Sequence, residues 1–111
     1  MPTKAYAGLE DTVSEVFGRA KTFTIVDVEN GQVRKVRVID NPAASYDYGS
    51  GPVAAKTLAD LRVDLVMATV PGPGASGLLK HHGMKEISVK PDTRVTDAIR
   101  ENFGRDESKN K

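Results

Sequence analysis

Two runs rich in β-branched residues, Phe23-Thr24-Ile25-Val26-Asp27-Val28 and Val33 to Ile39, flank the tetrapeptide Glu29-Asn30-Gly31-Gln32. No other stretch restricts the fold as much. Asn and Gly both tolerate the positive φ of a tight two-residue turn, so an Asn-Gly step between two such runs predicts an antiparallel β-hairpin. In the second run Arg34, Lys35 and Arg37 are interleaved with Val33, Val36 and Val38. That pattern suits a half-exposed edge strand, whose like charges also discourage pairing with another chain. A lone hairpin is marginal in water, so the other segments must supply a core. With 111 residues the chain is long enough for one domain and too short for two.

The remaining segments read as α/β. Thr3 to Ala7 predicts a short first strand, closed by Gly8 and the acidic turn Glu10-Asp11, and Val13 to Ala20 a loop or a single helical turn. A loop of small residues spans Asn41 to Gly51 and carries Tyr46 and Tyr48. Pro52 then opens a helix to about Leu61, with Ala54, Leu58 and Leu61 on one face. The nearly continuous apolar run from Asp64 to Val70 predicts a strand covered on both sides. A turn at Pro71 to Gly74, a helix over Ala75 to His82 and a short strand over Glu86 to Val89 follow. Asp92 or Thr93 is positioned to cap a last helix bearing Val95, Ile99 and Phe103. This order predicts a three-layer α/β/α sandwich around a mixed five-stranded sheet, formed by a single domain over residues 1–103 with a polar, disordered tail over 104–111.

Composition narrows the function. A formal net charge of +1 offers no broad basic face for nucleic acid or a membrane surface. There is no cysteine, hence no disulfide, thiolate nucleophile or thiolate metal ligand. Neither a secretory leader nor an apolar run of membrane-spanning length is legible, so the expected setting is the cytoplasm. Enzyme chemistry is poorly served. No histidine has an evident serine partner, and Asp27, Asp40, Asp47 and Asp64 show no grouping of the kind that two-metal hydrolases use.

What remains points to an anion. Phe17-Gly18-Arg19-Ala20 places bare backbone beside a fixed positive charge at the mouth of a strand. Gly49-Ser50-Gly51 and Pro71-Gly72-Pro73-Gly74 each precede an expected helix, where backbone N–H groups favour negative charge. The same glycines are equally what tight turns require. His81 and His82 close the second helix, where they complement the helix dipole. As adjacent residues about 100° apart they are ill placed to chelate one metal, and they stand as weak metal candidates.

In their order, these motifs resemble the dinitrogenase iron–molybdenum cofactor biosynthesis family, which includes the NifX-like carriers. The resemblance rests on Phe17-Gly18-Arg19-Ala20, Ile25-Val26-Asp27-Val28, Asn41-Pro42-Ala43-Ala44, Gly49-Ser50-Gly51 with Ala54-Ala55, and Pro71-Gly72-Pro73-Gly74-Ala75, and it spans roughly Thr3 to Phe103. It implies an RNase H-like fold and a non-catalytic role in carrying or assembling a molybdenum- or iron-containing metal–sulfur cluster. One branch, the orange protein of sulfate-reducing bacteria, holds a molybdenum–copper sulfide cluster without covalent attachment, and this chain is similar to it in size and in lacking cysteine. The chain departs from the family at Val16 and at Tyr48-Gly49-Ser50-Gly51, where many members have histidine, and at Gly74, where many have asparagine. Ligation by those histidines does not carry over.

The expectation is therefore a non-enzymatic carrier that holds a Mo–Cu or Fe–Mo type cluster in a loop-lined cleft. Phe17, Gly18, Arg19, Asn41, Gly49, Gly51, Gly72 and Gly74 form the binding set, and a cluster donor or acceptor protein is the partner. Two alternatives stand beside it: a docking adaptor or sensor without a metal role, and a metal-dependent phosphate-ester hydrolase.

Overall fold

A computed structural model of the chain describes residues 1–69 and 73–103. The elements run β1 (Pro2–Thr3), β2 (Thr22–Glu29), β3 (Gln32–Asp40), α1 (Ser50–Asp60), β4 (Leu65–Ala68), α2 (Pro73–His81), β5 (Lys85–Ser88) and α3 (Val95–Phe103), with a 3₁₀ turn at Gly8–Glu10. The expected tail over 104–111 and the turn residues 70–72 lie outside the described residues.

The hairpin forms as its turn chemistry requires. β2 and β3 pair antiparallel from Thr22↔Asp40 to Glu29↔Gln32. The two loop residues, Asn30 (φ 55°) and Gly31 (φ 78°), are both left-handed, the geometry whose twist matches that of the strands. A bulge interrupts the ladder, with Asp27 opposite Lys35 and Val28 opposite Val33, so that Arg34 is the extra residue. Its guanidinium reaches Glu29 at 3.1 Å. No residue of β3 is fully buried, whereas Thr22 to Ile25 of β2 all are. The charged valine-rich run is thus the outer strand.

The first strand is shorter than its sequence suggests. β1 pairs antiparallel with β2 through Pro2↔Phe23 and Thr3↔Thr22, and the chain then turns away. The buried carboxylate of Asp11 is the cause. It accepts hydrogen bonds from the backbone N–H groups of Ala5 (3.0 Å), Ala7 (3.3 Å) and Thr12 (2.8 Å), taking donors that a longer β1 would have presented to a ladder. The acidic turn at Glu10-Asp11 is accordingly wound into the 3₁₀ turn.

β4 and β5 pair in parallel, Leu65↔Lys85 to Ala68↔Ser88. Among the described residues the five strands form two hydrogen-bonded sheets, β1-β2-β3 and β4-β5, rather than the single five-stranded sheet expected. The helices sit near their expected places. α1 begins two residues before Pro52, and α2 begins at Pro73. α3 begins at Val95 and is not capped by Asp92 or Thr93. The Thr93 hydroxyl donates to Lys90 O at 2.7 Å, while Asp92 is left-handed (φ 63°) and pairs with Lys4. The start of α3 is instead strapped to the loop after Asp11, with Val95 N–H on Asp11 O (2.9 Å) and Val13 N–H on Thr93 O (2.8 Å).

One core joins both sheets to α1 and α2. Phe23 and Ile25 of β2 pack with Ala54, Ala55 and Leu58 of α1, Val66 and Ala68 of β4, and Leu79 of α2. On the edge of β2, the Met1 amino group donates to Thr24 O (2.9 Å) and Thr24 N–H donates to Met1 O (2.8 Å). Burial lowers this amino group from 8.0 to about 5, because a desolvated ammonium is disfavoured. Met1 retains some exposed surface as a residue, so the shielding concerns its amino end.

Two outcomes are expected. In a chain that begins at Met1 the unfolded state takes up this proton near pH 8 and the folded state only near pH 5. Unfolding free energy measured in urea should therefore rise as pH increases from 5 to 8, and acetylation of the amino group should remove that slope. Gly31→Ala should cost about 1–2 kcal/mol, because Gly31 is left-handed and an added Cβ would meet Phe103 O at 2.9 Å.

Candidate functional site

The Phe17–Ala20 loop reaches its position through bonds to distant parts of the chain. Ser14 N–H donates to Pro2 O at 2.8 Å, and Ala20 N–H closes a turn on Phe17 O at 3.3 Å. The Thr69 hydroxyl, just past β4, donates to Ser14 O at 3.2 Å. The loop therefore lies at the carboxyl end of β4, the side of an α/β sheet where ligands usually bind. Phe17 does not face solvent. It is buried against Phe23, with ring centroids 5.7 Å apart, and it anchors the loop instead of lining a ligand surface.

Gly18 and Asn41 explain the geometry of the loop. A Cβ on Gly18 would stand 2.7 Å from Ser50 Oγ and 2.8 Å from Gly51 N, so only a glycine lets this loop lie against the first turn of α1. Asn41 is buried. Its Nδ2 donates to Gly18 O (2.9 Å) and Ala20 O (2.8 Å), and its Oδ1 accepts from Ala43 N–H (3.0 Å). One side chain thus satisfies three backbone groups and ties the end of β3 to the Phe17–Ala20 loop. Asn41 acts as a brace, with its polar atoms already committed inside the protein.

Around this frame the ligand-accessible groups are few and distinct. Arg19 is exposed and makes no ion pair with a described residue. Gly49, left-handed at φ 73°, precedes α1 and supplies no side-chain cap. The first-turn N–H groups of α1, which carry partial positive charge, adjoin Gly18 and hence the backbone that carries Arg19. Tyr46 and Tyr48 are exposed, Tyr48 at 92%, in the loop leading to Gly49. Gly51 touches Leu78 of α2 at 3.8 Å from a would-be Cβ, which brings α2 alongside α1.

The structure brings together Phe17, Gly18, Arg19, Asn41, Gly49 and Gly51. Gly74 falls in the first turn of α2, and Gly72 lies outside the described residues. His81 and His82 lie elsewhere. They are exposed at the far end of α2, roughly 12 Å of helix from its first residue, with rings edge-on at 5.4 Å. Among the described residues no group of three His, Cys, Asp or Glu side chains is placed to hold a metal ion, and no helix is long and apolar enough to cross a membrane.

A second cluster, beside β3, was not legible in the sequence. The Tyr6 hydroxyl donates to the Asp40 carboxylate, and Lys21 Nζ lies 5.4 Å from the Tyr6 ring centroid. The bond to Asp40, with some desolvation, raises the Tyr6 pKa above the usual phenol value. These residues are far apart in the chain and share no local pattern. Spacing alone had no means of pairing them.

The protein is thus an α/β domain with a guanidinium and an uncapped helix start exposed at one strand end. It belongs to the dinitrogenase iron–molybdenum cofactor family, whose pattern matches residues 1–103. An uncharacterized protein of Methanocaldococcus jannaschii is 32% identical over 88 residues, 79% of this chain and 74% of the relative. The fold is similar to that of the apo orange protein from Desulfovibrio gigas, with a TM-score of 0.79 and 27% identity over 96% of this chain and 84% of that one. It is also similar to a Thermotoga protein put forward as NifB and placed in the DUF35 family, with a TM-score of 0.71 and 28% identity over 95% and 84% of the two chains.

Asn41→Ala should lower stability by about 2–3 kcal/mol in chemical denaturation, since it leaves three backbone groups, those of Ala20 and Ala43 buried and that of Gly18 half-buried, without their partner. Gly18→Ala should also destabilise, by roughly 1–3 kcal/mol, because the backbone of α1 cannot retreat from the added methyl. Arg19→Ala should stay within about 0.5 kcal/mol of the parent. That contrast separates the residues that build the site from the one left free to use it.

Proposed function

We propose that the protein is a non-catalytic carrier of an anionic metal–sulfur cluster, of molybdenum-containing Mo–Cu sulfide or Fe–Mo type, in the cytoplasm. Family membership supports a role in metal-cluster binding or biosynthesis, and likeness to the apo orange protein supports the molybdenum–copper reading. The observation that carries the proposal is the pairing of exposed Arg19 with the uncapped N-terminal turn of α1, held together by Gly18 and Asn41.

The donor set fits such a cargo. With no cysteine in the chain and no cluster of three His, Asp or Glu side chains placed to hold a metal among the described residues, the protein would leave the sulfides of the cluster in place and bind its outer surface. Arg19 and the N–H groups at Gly49, Ser50 and Gly51 would donate to outer sulfides, and Gly72 and Gly74 complete the proposed binding set. Phe17 and Asn41 would keep these donors in register. Charge-assisted donation of this kind is stronger than neutral hydrogen bonding and needs no covalent attachment.

A carrier must also hand over its load. Val16 (53% exposed), Tyr46 and Tyr48 place apolar surface around the same loops, suited to transient docking of a cluster donor or acceptor protein. The finer fold reading, an RNase H-like three-layer sandwich, is supported by the β1-β2-β3 and β4-β5 orders with helices between them. The hydrolase alternative gains no support, since the carboxylates of the described residues do not gather.

Purified protein incubated with tetrathiomolybdate and copper should acquire visible charge-transfer bands that stay with it through gel filtration at stoichiometric metal. Arg19→Ala should weaken retention by about tenfold or more, the loss expected for one charge-assisted contact, while remaining folded. A protein that stays colourless and retains no molybdenum, copper or iron would overturn the proposal.

A further inference from the structure

The outer edge of β3 presents backbone groups that no described residue pairs. Asn41 N–H, one residue past β3, donates to Lys21 O at 3.2 Å, while Thr24 turns both of its backbone groups to Met1 on the other side of β2. Hydrogen-bonded pairs alternate along an antiparallel ladder, so Phe23 and Ile25 turn theirs toward β3, where Ile39 and Arg37 stand opposite. Val36, Val38 and Asp40 therefore direct their N–H and C=O groups away from β2. Among the described residues no strand lies beyond β3, and no backbone group bonds to these three.

The side chains along this edge divide by face. Val36 and Val38 share one face and are half-buried, and a Cβ on Gly8 would stand 3.8 Å from Val36. Lys35 and Arg37 alternate onto the other face, and neither makes an ion pair with a described residue. Asp27 is the carboxylate opposite Lys35 on the inner side. Asp40, at the end of the valine face, takes the Tyr6 hydroxyl. Arg34, the bulged residue tied to Glu29, ends the regular edge on the hairpin side. Because Lys35 and Arg37 turn their backbone groups inward, a strand added outside β3 would meet them at its non-hydrogen-bonded positions, where opposing side chains stand closest. Like charges placed there repel. The two-fold register that sets Val36 of one copy against Val38 of another also sets Arg37 against Arg37, and the register centred on Val36 sets Lys35 against Arg37. The cations that guard the edge against a second copy are the ones that favour a strand bearing carboxylates.

We propose that the Lys35–Asp40 edge of β3 is a docking site for an extended acidic segment of a partner protein, which adds as an antiparallel fourth strand with carboxylates opposite Lys35 and Arg37 and β-branched side chains opposite Val36 and Val38. In this mode main-chain bonds supply the affinity and alternate side chains the selectivity. A segment matching this edge is about 20 Å long. A nucleic acid would answer the two cations but not the outward N–H and C=O groups, so the edge calls for a peptide. The site uses neither Arg19 nor the start of α1 and does not rest on the cluster reading.

The test titrates the whole chain with a capped peptide of alternating valine and glutamate, and with a second peptide in which lysine replaces glutamate. The glutamate peptide at saturation should slow hydrogen exchange of the Val36 and Val38 amides by about tenfold or more, and the lysine peptide should not. Val38→Pro removes an outward donor without touching the ladder to β2 and should abolish that protection. Should this variant fail to fold, the double variant Lys35→Glu, Arg37→Glu serves in its place: it should lose the glutamate peptide and gain the lysine peptide. No protection of Val36 and Val38 by the glutamate peptide would overturn the proposal, as would equal protection by both peptides. Salt-sensitive shifts at Lys35 and Arg37 without amide protection, matched by an oligonucleotide of equal charge, would reduce the edge to a charge patch and overturn it too. A dimer in sedimentation whose Val36 and Val38 amides are protected before any peptide is added would assign the edge to a second copy instead. None of these readouts involves a bound metal, so they separate this edge from the fate of the carrier reading.

Discussion

The first half of β2 is the constraint on which the rest of the molecule depends. From Thr22 to Ile25 both faces are buried, and both edges are occupied near that end, by β1 on one side and β3 on the other. Phe23 and Ile25 point into the core shared with α1, β4 and α2. Thr22 and Thr24 meet Thr3, whose hydroxyl lies 2.6 and 3.0 Å from theirs, so the polar atoms on that face are satisfied within the protein. Placing polar and apolar side chains alternately fixes the register, because a one-residue slip would drive hydroxyls into the core and Phe23 onto the threonines.

The candidate site hangs from this strand. Phe17 packs against Phe23 with the rings tilted, and Ala20 lies two residues before the start of β2. Asn41, one residue past β3, reaches back to both ends of the Gly18–Ala20 segment. Much of the motif is therefore scaffold. Gly18 makes room, Asn41 braces and Phe17 anchors, and the result is an exposed guanidinium beside a helix start with no side-chain cap. A surface so built offers positive charge in fixed positions without contributing a ligand atom, which suits a cargo that brings its own ligands.

Most of the secondary structure was legible because it follows local rules. Asn30-Gly31 specified the hairpin through backbone conformation alone, and the alternation of charge and valine marked β3 as the outer strand. The failures arose where a contact with a different part of the chain or a side chain took over a local backbone role. Asp11 ended β1 by capturing the N–H groups of Ala5 and Ala7. The start of α3 was set by its bonds to Asp11 and Val13 and not by a local cap. In the site, the grouping of Arg19 with Gly49 and Gly51 was foreseen from motif order, but not the partition of roles. That Asn41 faces inward, and that Tyr6, Lys21 and Asp40 gather beside it, depends on contacts between residues 15 to 34 positions apart.

The sequence by itself determined the element types, the hairpin, the edge character of β3, the lack of thiolate chemistry and the family, because these rest on backbone preferences, residue inventory and motif order. Tertiary structure alone decided which glycine is a contact and which is a cap, which polar side chain is committed and which is free, and that the strands of the described residues divide into β1-β2-β3 and β4-β5. The physical reason is that close approach and hydrogen-bond commitment are properties of pairs of residues. Gly18 and Gly49 are the same amino acid, and the approach of Ser50 and Gly51 to the first and the left-handed backbone of the second set them apart.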